Sequence, residues 1–271
     1  MFKKSLFFVF LIGFMTTCQL SQEQKASKLL CEAQTLVDSG FWRQAILVLD
    51  SLHATYPRQV EQRRQAKALS DSITYLEAKS TLAYADTLLP PLLKQSDELI
   101  KKFRYEKNDK YEQYGRYVHR TLATSSNTSR NFIQAYVRDD RETIVKSYYF
   151  GPNQVFQQTI ILQANGSQQQ FSGSNHHFQA EGHHEIMTFE NEKALSLLNF
   201  ISTHVHSKIR VEGIGDKPYK NWVYYLNDIE KEALSQTYQL GWLMKDVKRI
   251  EQMQKVANAQ IMRYEQKKTL K

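Results

Sequence analysis

Hydrophobic positions change their period along the chain. Between residues 25 and 56, Ala26, Leu29, Leu30, Ala33, Leu36 and Val37 recur at steps that place them on one helical face. Asp38-Ser39-Gly40 breaks the pattern, and Gly40 suits the left-handed position that follows a helix. Trp42, Ala45, Leu49 and Leu52 restart it, and Tyr56-Pro57 closes it, so a helical hairpin is expected. From Arg58 to Leu89, the residues Leu69, Ile73, Leu76 and Ala83 follow coiled-coil-like steps and predict one long helix. Pro90-Pro91 is expected to stop it, because proline lacks the amide donor and disfavours helix in the residue before it. Leu92, Leu99, Ile100 and Phe103 mark a short helix beyond, and the charged run from Lys101 to Lys110 reads as a linker.

After Tyr114 the pattern becomes that of strands. Tyr117 to Leu122, Phe132 to Arg138, Glu142 to Phe150 and Val155 to Gln163 are rich in β-branched and aromatic residues. Asp139-Asp140-Arg141, Gly151-Pro152-Asn153 and Asn165-Gly166-Ser167 are turn signals. Short strands are expected around Phe171, at His177 to Ala180, Glu185 to Phe189, Ile209 to Ile214 and Trp222 to Leu226, with one helix between Glu190 and His204. This predicts one small antiparallel sheet of roughly six to eight strands.

The closing segment is helical again. Asn227 and Glu230 form a capping-box pair. Ile229, Ala233, Gln236, Leu240, Leu243, Val247, Ile250, Gln254, Ala257, Ile261 and Tyr264 then alternate steps of four and three. A strict period near 3.5 favours a narrow seam against another helix. The helix over 58–89 offers one in the same chain, and a second copy of the chain is the alternative partner. The expected class is α+β: an N-terminal helical hairpin and long helices, a small antiparallel β-domain, and a long coiled-coil-like C-terminal helix. The boundaries read as helical over 25–110, β-domain with one helix over 111–226, and closing helix over 227–271, packed on the 58–89 helix.

Composition agrees with long helices. The chain has 271 residues, of which only 10 are glycine and 5 proline, and 12% aromatics supply the bulk for a core. The formal charge of +8 is spread along the chain, without the clustered cations and interleaved aromatics that nucleic-acid binding would require. Two cysteines, Cys18 and Cys31, exclude a disulfide scaffold and a four-cysteine zinc site.

Residues 1–17 read as a signal peptide. Lys3-Lys4 precedes an apolar run from Leu6 to Met15, too short for the roughly 20 residues that span a bilayer. Met15-Thr16-Thr17-Cys18, followed by the polar stretch from Gln19, resembles a bacterial lipoprotein signal, with Thr17 and Met15 departing from the usual box. The resemblance implies lipidation at Cys18, an 18–24 tether, and stable membrane attachment through several acyl chains. Cys31 then has no partner and is expected as a buried small hydrophobe. Ala33, Leu36, Gly40, Trp42, Ala45, Leu49, Leu52 and Pro57 resemble a single tetratricopeptide-like hairpin, without a second copy downstream. The whole layout resembles uncharacterised envelope lipoproteins of Bacteroidota, which implies an outer-membrane lipoprotein facing the periplasm and no known activity.

Candidate chemistry is sparse. His176, His177, His183, His184, His204 and His206 lie close in sequence, in turn-rich surroundings that suggest exposed loop imidazoles. His204-Val205-His206 would set both rings on one face of a strand, a weak metal candidate. No H-E-x-x-H, nucleophile elbow, phosphate loop or dinucleotide fingerprint occurs, and no cofactor is expected. Tyr148, Tyr149, Trp222, Tyr224 and Tyr225 are candidates for an aromatic binding platform, although alternation in a strand turns half of them inward. Asp50-Ser51-Leu52, Asp71-Ser72-Ile73 and Asp86-Thr87-Leu88 resemble a Bacteroidota O-glycosylation signal, within expected helices. The function expected is a tethered, non-enzymatic interaction or scaffold protein with a protein partner in the envelope. The alternatives are a β-domain that binds glycan, peptide or metal and, last, an envelope hydrolase.

Overall fold

The structure, a computed structural model, describes residues 21–122, 130–179, 182–216 and 221–269. The signal segment and the expected lipidation site Cys18 lie outside the described residues. Within them the fold is α+β, with long helices and two antiparallel sheets. The chain divides into two compact units: residues up to Thr81 together with those from Ala257 onward, and Leu82–Val256.

In the first unit, helix α1 (Gln22–Asp38) and helix α2 (Trp42–Thr55) form the expected hairpin. Ser21 caps α1 by accepting the Gln24 N–H at 3.1 Å, while Gln24 Oε1 accepts the Ser21 N–H at 2.9 Å. Gly40 takes φ +80°, the left-handed conformation its position required. Ala33, Ala45, Leu49 and Leu52 are buried together with Ala66 and Ile73 from the start of helix α3 (Val60–Ile100). The seam expected at Leu69, Ile73, Leu76 and Ala83 therefore needs correction. Leu69 and Ile73 pack on the hairpin, whereas Leu76 and Ala83 are exposed. The last turns of helix α5 (Asp228–Thr269) meet a different stripe of α3: Tyr264 stacks on Tyr75 at 4.5 Å and its hydroxyl pairs with Ser72 at 3.0 Å. Cys31 is exposed, contrary to the expectation, because it lies on the solvent side of α1, away from the buried Ala26 and Ala33.

Helix α3 does not stop at Pro90-Pro91. Both prolines are exposed, as are Asp86 and Thr87, whose carbonyls lose a helical donor, and half-buried Leu88, Leu89, Leu92 and Leu93 hold the turns on either side. The stretch read as a linker contains a strand.

Among the described residues of the second unit, ten strands lie in two sheets, where a single smaller sheet was expected. Strands β1 (Phe103–Glu106), β2 (Arg116–His119), β3 (Phe132–Arg138), β4 (Thr143–Gly151), β7 (Ser174–Gln179) and β8 (His183–Glu190) form a six-stranded sheet in the order β1-β2-β3-β4-β8-β7. Strands β5 (Thr159–Ala164), β6 (Ser167–Ser172), β9 (Arg210–Ile214) and β10 (Trp222–Tyr225) form the other, ordered β10-β9-β5-β6. Helix α4 (Asn191–Thr203) buries Ala194, Leu197, Leu198 and Ile201 against inward residues such as Ile133, Val145, Ile160, Leu162, Met187 and Phe189.

Helix α5 begins with the expected capping box: Glu230 N–H donates to Asn227 Oδ1 at 2.8 Å, and Asn227 N–H donates to Glu230 Oε2 at 3.0 Å. Its face is rotated from the expected one. Ile229 is 65% exposed, while Leu234, Thr237 and Met244 join Ala233, Leu240, Val247 and Ile250 inside. The cover is also different. Leu240 and Met244 pack with Phe103 and Val137, and Arg141 and Lys248 pair with Glu251 and Glu142. The helix meets residues of β1, β3 and β4, so the width of the sheet covers it, whatever the length of one strand. Further along, Gln254 donates to Asp86 of α3 at 2.6 Å.

Candidate functional site

The concave apolar site lies within the second unit, where the last turns of α3 run beside α5. Gly241 determines how closely α5 approaches the sheet: a Cβ there would meet Thr143 Oγ1 at 2.4 Å and Leu195 Cδ2 at 3.2 Å. With Gly241 turned inward, the neighbouring Trp242 and Leu243 face away from the core. They form, with Tyr238, with Lys94 and Leu99 of α3 and with Lys102 in the turn that follows it, a groove of about 620 Å³. Trp242 is 48% exposed, an indole left at the surface.

The rim is polar and mainly cationic. Lys245 reaches over the Trp242 ring, 5.0 Å from its centroid, and pairs with Glu192 at 2.5 Å. Glu98 is held by Lys101 at 2.7 Å. Lys94 and Lys102 have no carboxylate partner among the described residues. The groove can therefore take an apolar surface and set two ammonium groups against its acidic edge. His119 is half-buried and bonded to Gln236 of α5 at 3.1 Å. Burial lowers its pKa; the Gln236 bond opposes that effect and the Lys102 charge adds to it.

The residues singled out by sequence are dispersed. Tyr149 and Trp222 are core residues, their rings 5.9 Å apart, and Trp222 stacks on Tyr224 at 5.7 Å. Burial drives the Tyr224 phenol well above its ordinary pKa. Tyr148 lies on the opposite face of the six-stranded sheet, stacked on Phe132 at 4.4 Å, and Tyr225 is exposed beside Lys208. The aromatic platform is thus not assembled, because β-strand alternation sends Tyr148 and Tyr149 to opposite faces and β10 turns Trp222 inward.

The histidines match the turn-rich surroundings expected of them at 204 and 206 and depart from that expectation elsewhere. His204 and His206 lie in the turn after α4, since the helix runs to Thr203 and leaves no strand there. His204 Nδ1 is 2.8 Å from the Phe200 carbonyl, which engages that nitrogen. His176 and His177 belong to β7, and His183 and His184 to β8, so these four are strand residues and not loop residues. Among the described residues no group of three or more His, Cys, Asp or Glu side chains is arranged to hold a metal.

Sequence reasoning missed Glu185. Its side chain is buried and accepts the N–H groups of Val155, Phe156 and Gln157 at 2.7, 2.7 and 2.6 Å, and the Asn175 amide at 2.9 Å. Burial alone would raise its pKa, but the Gln157, Asn175, Phe156 and Val155 donors outweigh that effect and hold it below the ordinary carboxylate range. Phe156, at φ +54°, turns the backbone so that its three amides converge. This is an internal anchor tying the β4–β5 connection to β8.

No helix among the described residues is long and apolar enough to cross a membrane. Comparison with known proteins finds no matching family model, no similar curated protein and no similar solved structure.

Proposed function

We propose that the chain is a membrane-tethered interaction protein of the cell envelope. In this reading it is lipidated at Cys18, faces the periplasm from the outer membrane, and docks a protein partner in the groove beside Trp242. The observation that carries the docking is the exposed indole in an apolar groove flanked by Lys94 and Lys102. Tryptophan is prominent among interface hot spots because it buries a large apolar area while keeping one polar contact. The partner chemistry that fits is an amphipathic helix with apolar residues at helical spacing and carboxylates along one edge. The anchoring part rests on the signal-like sequence around Cys18.

A photocrosslinking residue at position 242 tests the docking, with Phe41 as a comparison site that is also exposed. The reading requires a discrete adduct at 242, absent at 41, that weakens when Lys94 and Lys102 are both changed to Glu. Equal labelling at both sites, or indifference to the charge reversal, rejects it. Anchoring is tested separately: Cys18→Ser should leave the protein unprocessed or in the soluble fraction, and normal cleavage with normal membrane attachment rejects the lipid tether.

A further inference from the structure

The β7–β8 hairpin holds two imidazoles in a geometry that neither strand pairing nor the core requires. His177 pairs in register with Glu185, and His183 with Gln179, so the two histidines are diagonal neighbours on one face. Nε2 of His177 lies 3.2 Å from Nδ1 of His183, with the rings stacked at 5.4 Å. Both rings are half-buried, and so remain within reach of solvent.

A contact between these nitrogens is a hydrogen bond only when one carries the proton and the other offers its lone pair. The same spacing suits a cation that takes both lone pairs. At metal–imidazole distances of roughly 2.0–2.1 Å, two nitrogens 3.2 Å apart subtend about 100° at the metal, close to tetrahedral. The carboxylate of Glu185 lies on the same face, paired across from His177 in the strand register. Neutral imidazole selects borderline divalent ions over calcium or magnesium.

We propose that His177 Nε2 and His183 Nδ1 form a two-histidine site for a divalent transition cation, Zn²⁺ or Cu²⁺, with water completing the coordination. The ring that donates in the free protein moves its proton to its other nitrogen, so each bound imidazole stays neutral and no proton is lost. The site is independent of the Trp242 groove. His176 projects to the opposite face of the sheet, and His184 is engaged by Phe178 and Phe150 at 4.7 and 4.9 Å, so neither joins the pair.

The test uses the full chain with Cys31→Ser, which removes the exposed thiol as a competing ligand. Titration with ZnCl₂ by calorimetry and with CuCl₂ by electron paramagnetic resonance should show one saturable site with two-nitrogen coordination. Affinity should fall at least tenfold in His177→Ala and in His183→Ala, and stay unchanged in His176→Ala and His206→Ala. Because a strand variant can disturb the hairpin, the unmutated histidines give a second measurement: ZnCl₂ should protect His177 and His183, and not His176 or His206, from diethyl pyrocarbonate. Absence of saturable binding, affinity in His177→Ala and His183→Ala unchanged from that of the parent protein, or equal modification with and without zinc overturns the proposal.

Discussion

Glu185 accepts the backbone N–H of Gln157 at 2.6 Å across 28 residues of chain, and this bond belongs to a set of four around one buried carboxylate. Replacing the side chain removes the acceptor of the buried Val155 and Gln157 amides and of the more exposed Phe156 and Asn175 donors. Glu185→Ala is expected to lower stability by about 3 kcal/mol or more, from unpaired buried donors that each cost roughly 1–3 kcal/mol. Glu185→Gln keeps one acceptor and should cost less. Equilibrium denaturation of the two variants checks the order.

The same carboxylate fixes a direction for pH dependence. Its folded pKa is lowered, so the unfolded chain binds the proton more readily than the native state. The stabilisation is complete above the unfolded value of roughly 4.3 and is lost as pH falls through the lower folded value. Unfolding curves from pH 6 to 3 should show an acid-side loss that is smaller in Glu185→Gln. An equal acid slope in the variant would assign the loss to other carboxylates.

Tyr224 carries a wholly buried hydroxyl with no hydrogen-bond partner among the described residues. Removing an unsatisfied buried hydroxyl while keeping the ring is neutral or favourable. Tyr224→Phe should therefore leave the melting temperature unchanged or raise it, by up to about 1 kcal/mol in stability terms. A clear loss would reveal a partner for that hydroxyl.

Cys31 should react with maleimide in the native protein at a rate close to that of a free model thiol, because it is exposed on α1. Labelling only after denaturation would show that this face of the helix is covered.

Legibility tracked how local the governing physics was. The hairpin at Gly40, the Asn227–Glu230 box and strands such as β3 were readable because backbone freedom, capping and alternation act within a few residues. Pro90-Pro91 misled because packing of the flanking leucines and the exposure of residues 86, 87, 90 and 91 offset a local penalty. Glu185 was not legible: nothing near it in sequence announces that amides 28 to 30 residues away converge on it. The groove was readable only in part. Leu243 fell in the periodic seam, but that Gly241 turns inward and leaves Trp242 outside depends on the approach of Thr143 from β4.

Leu240 and Leu243 separate the packing face of α5 from its groove face. A period of 3.5 predicted that Leu243 would be as deeply buried as Leu240, so that Leu243→Asp would cost several kcal/mol. In the structure Leu240 is fully buried with Phe103 and Val137, whereas Leu243 is half-buried and lines the groove. An aspartate at 240 would be an unpaired charge inside the packing between helix and sheet, at a cost of about 4 kcal/mol or more. An aspartate at 243 can turn its carboxylate into the open groove, where Lys94 and Lys102 line the facing side, and should cost about 1 kcal/mol or less. Thermal or urea unfolding of the two variants measures the difference directly. If the groove is the docking site, Leu243→Asp also loses the partner adduct at position 242 while remaining folded. Equal destabilisation by the two substitutions would restore Leu243 to the core and close the groove as a site.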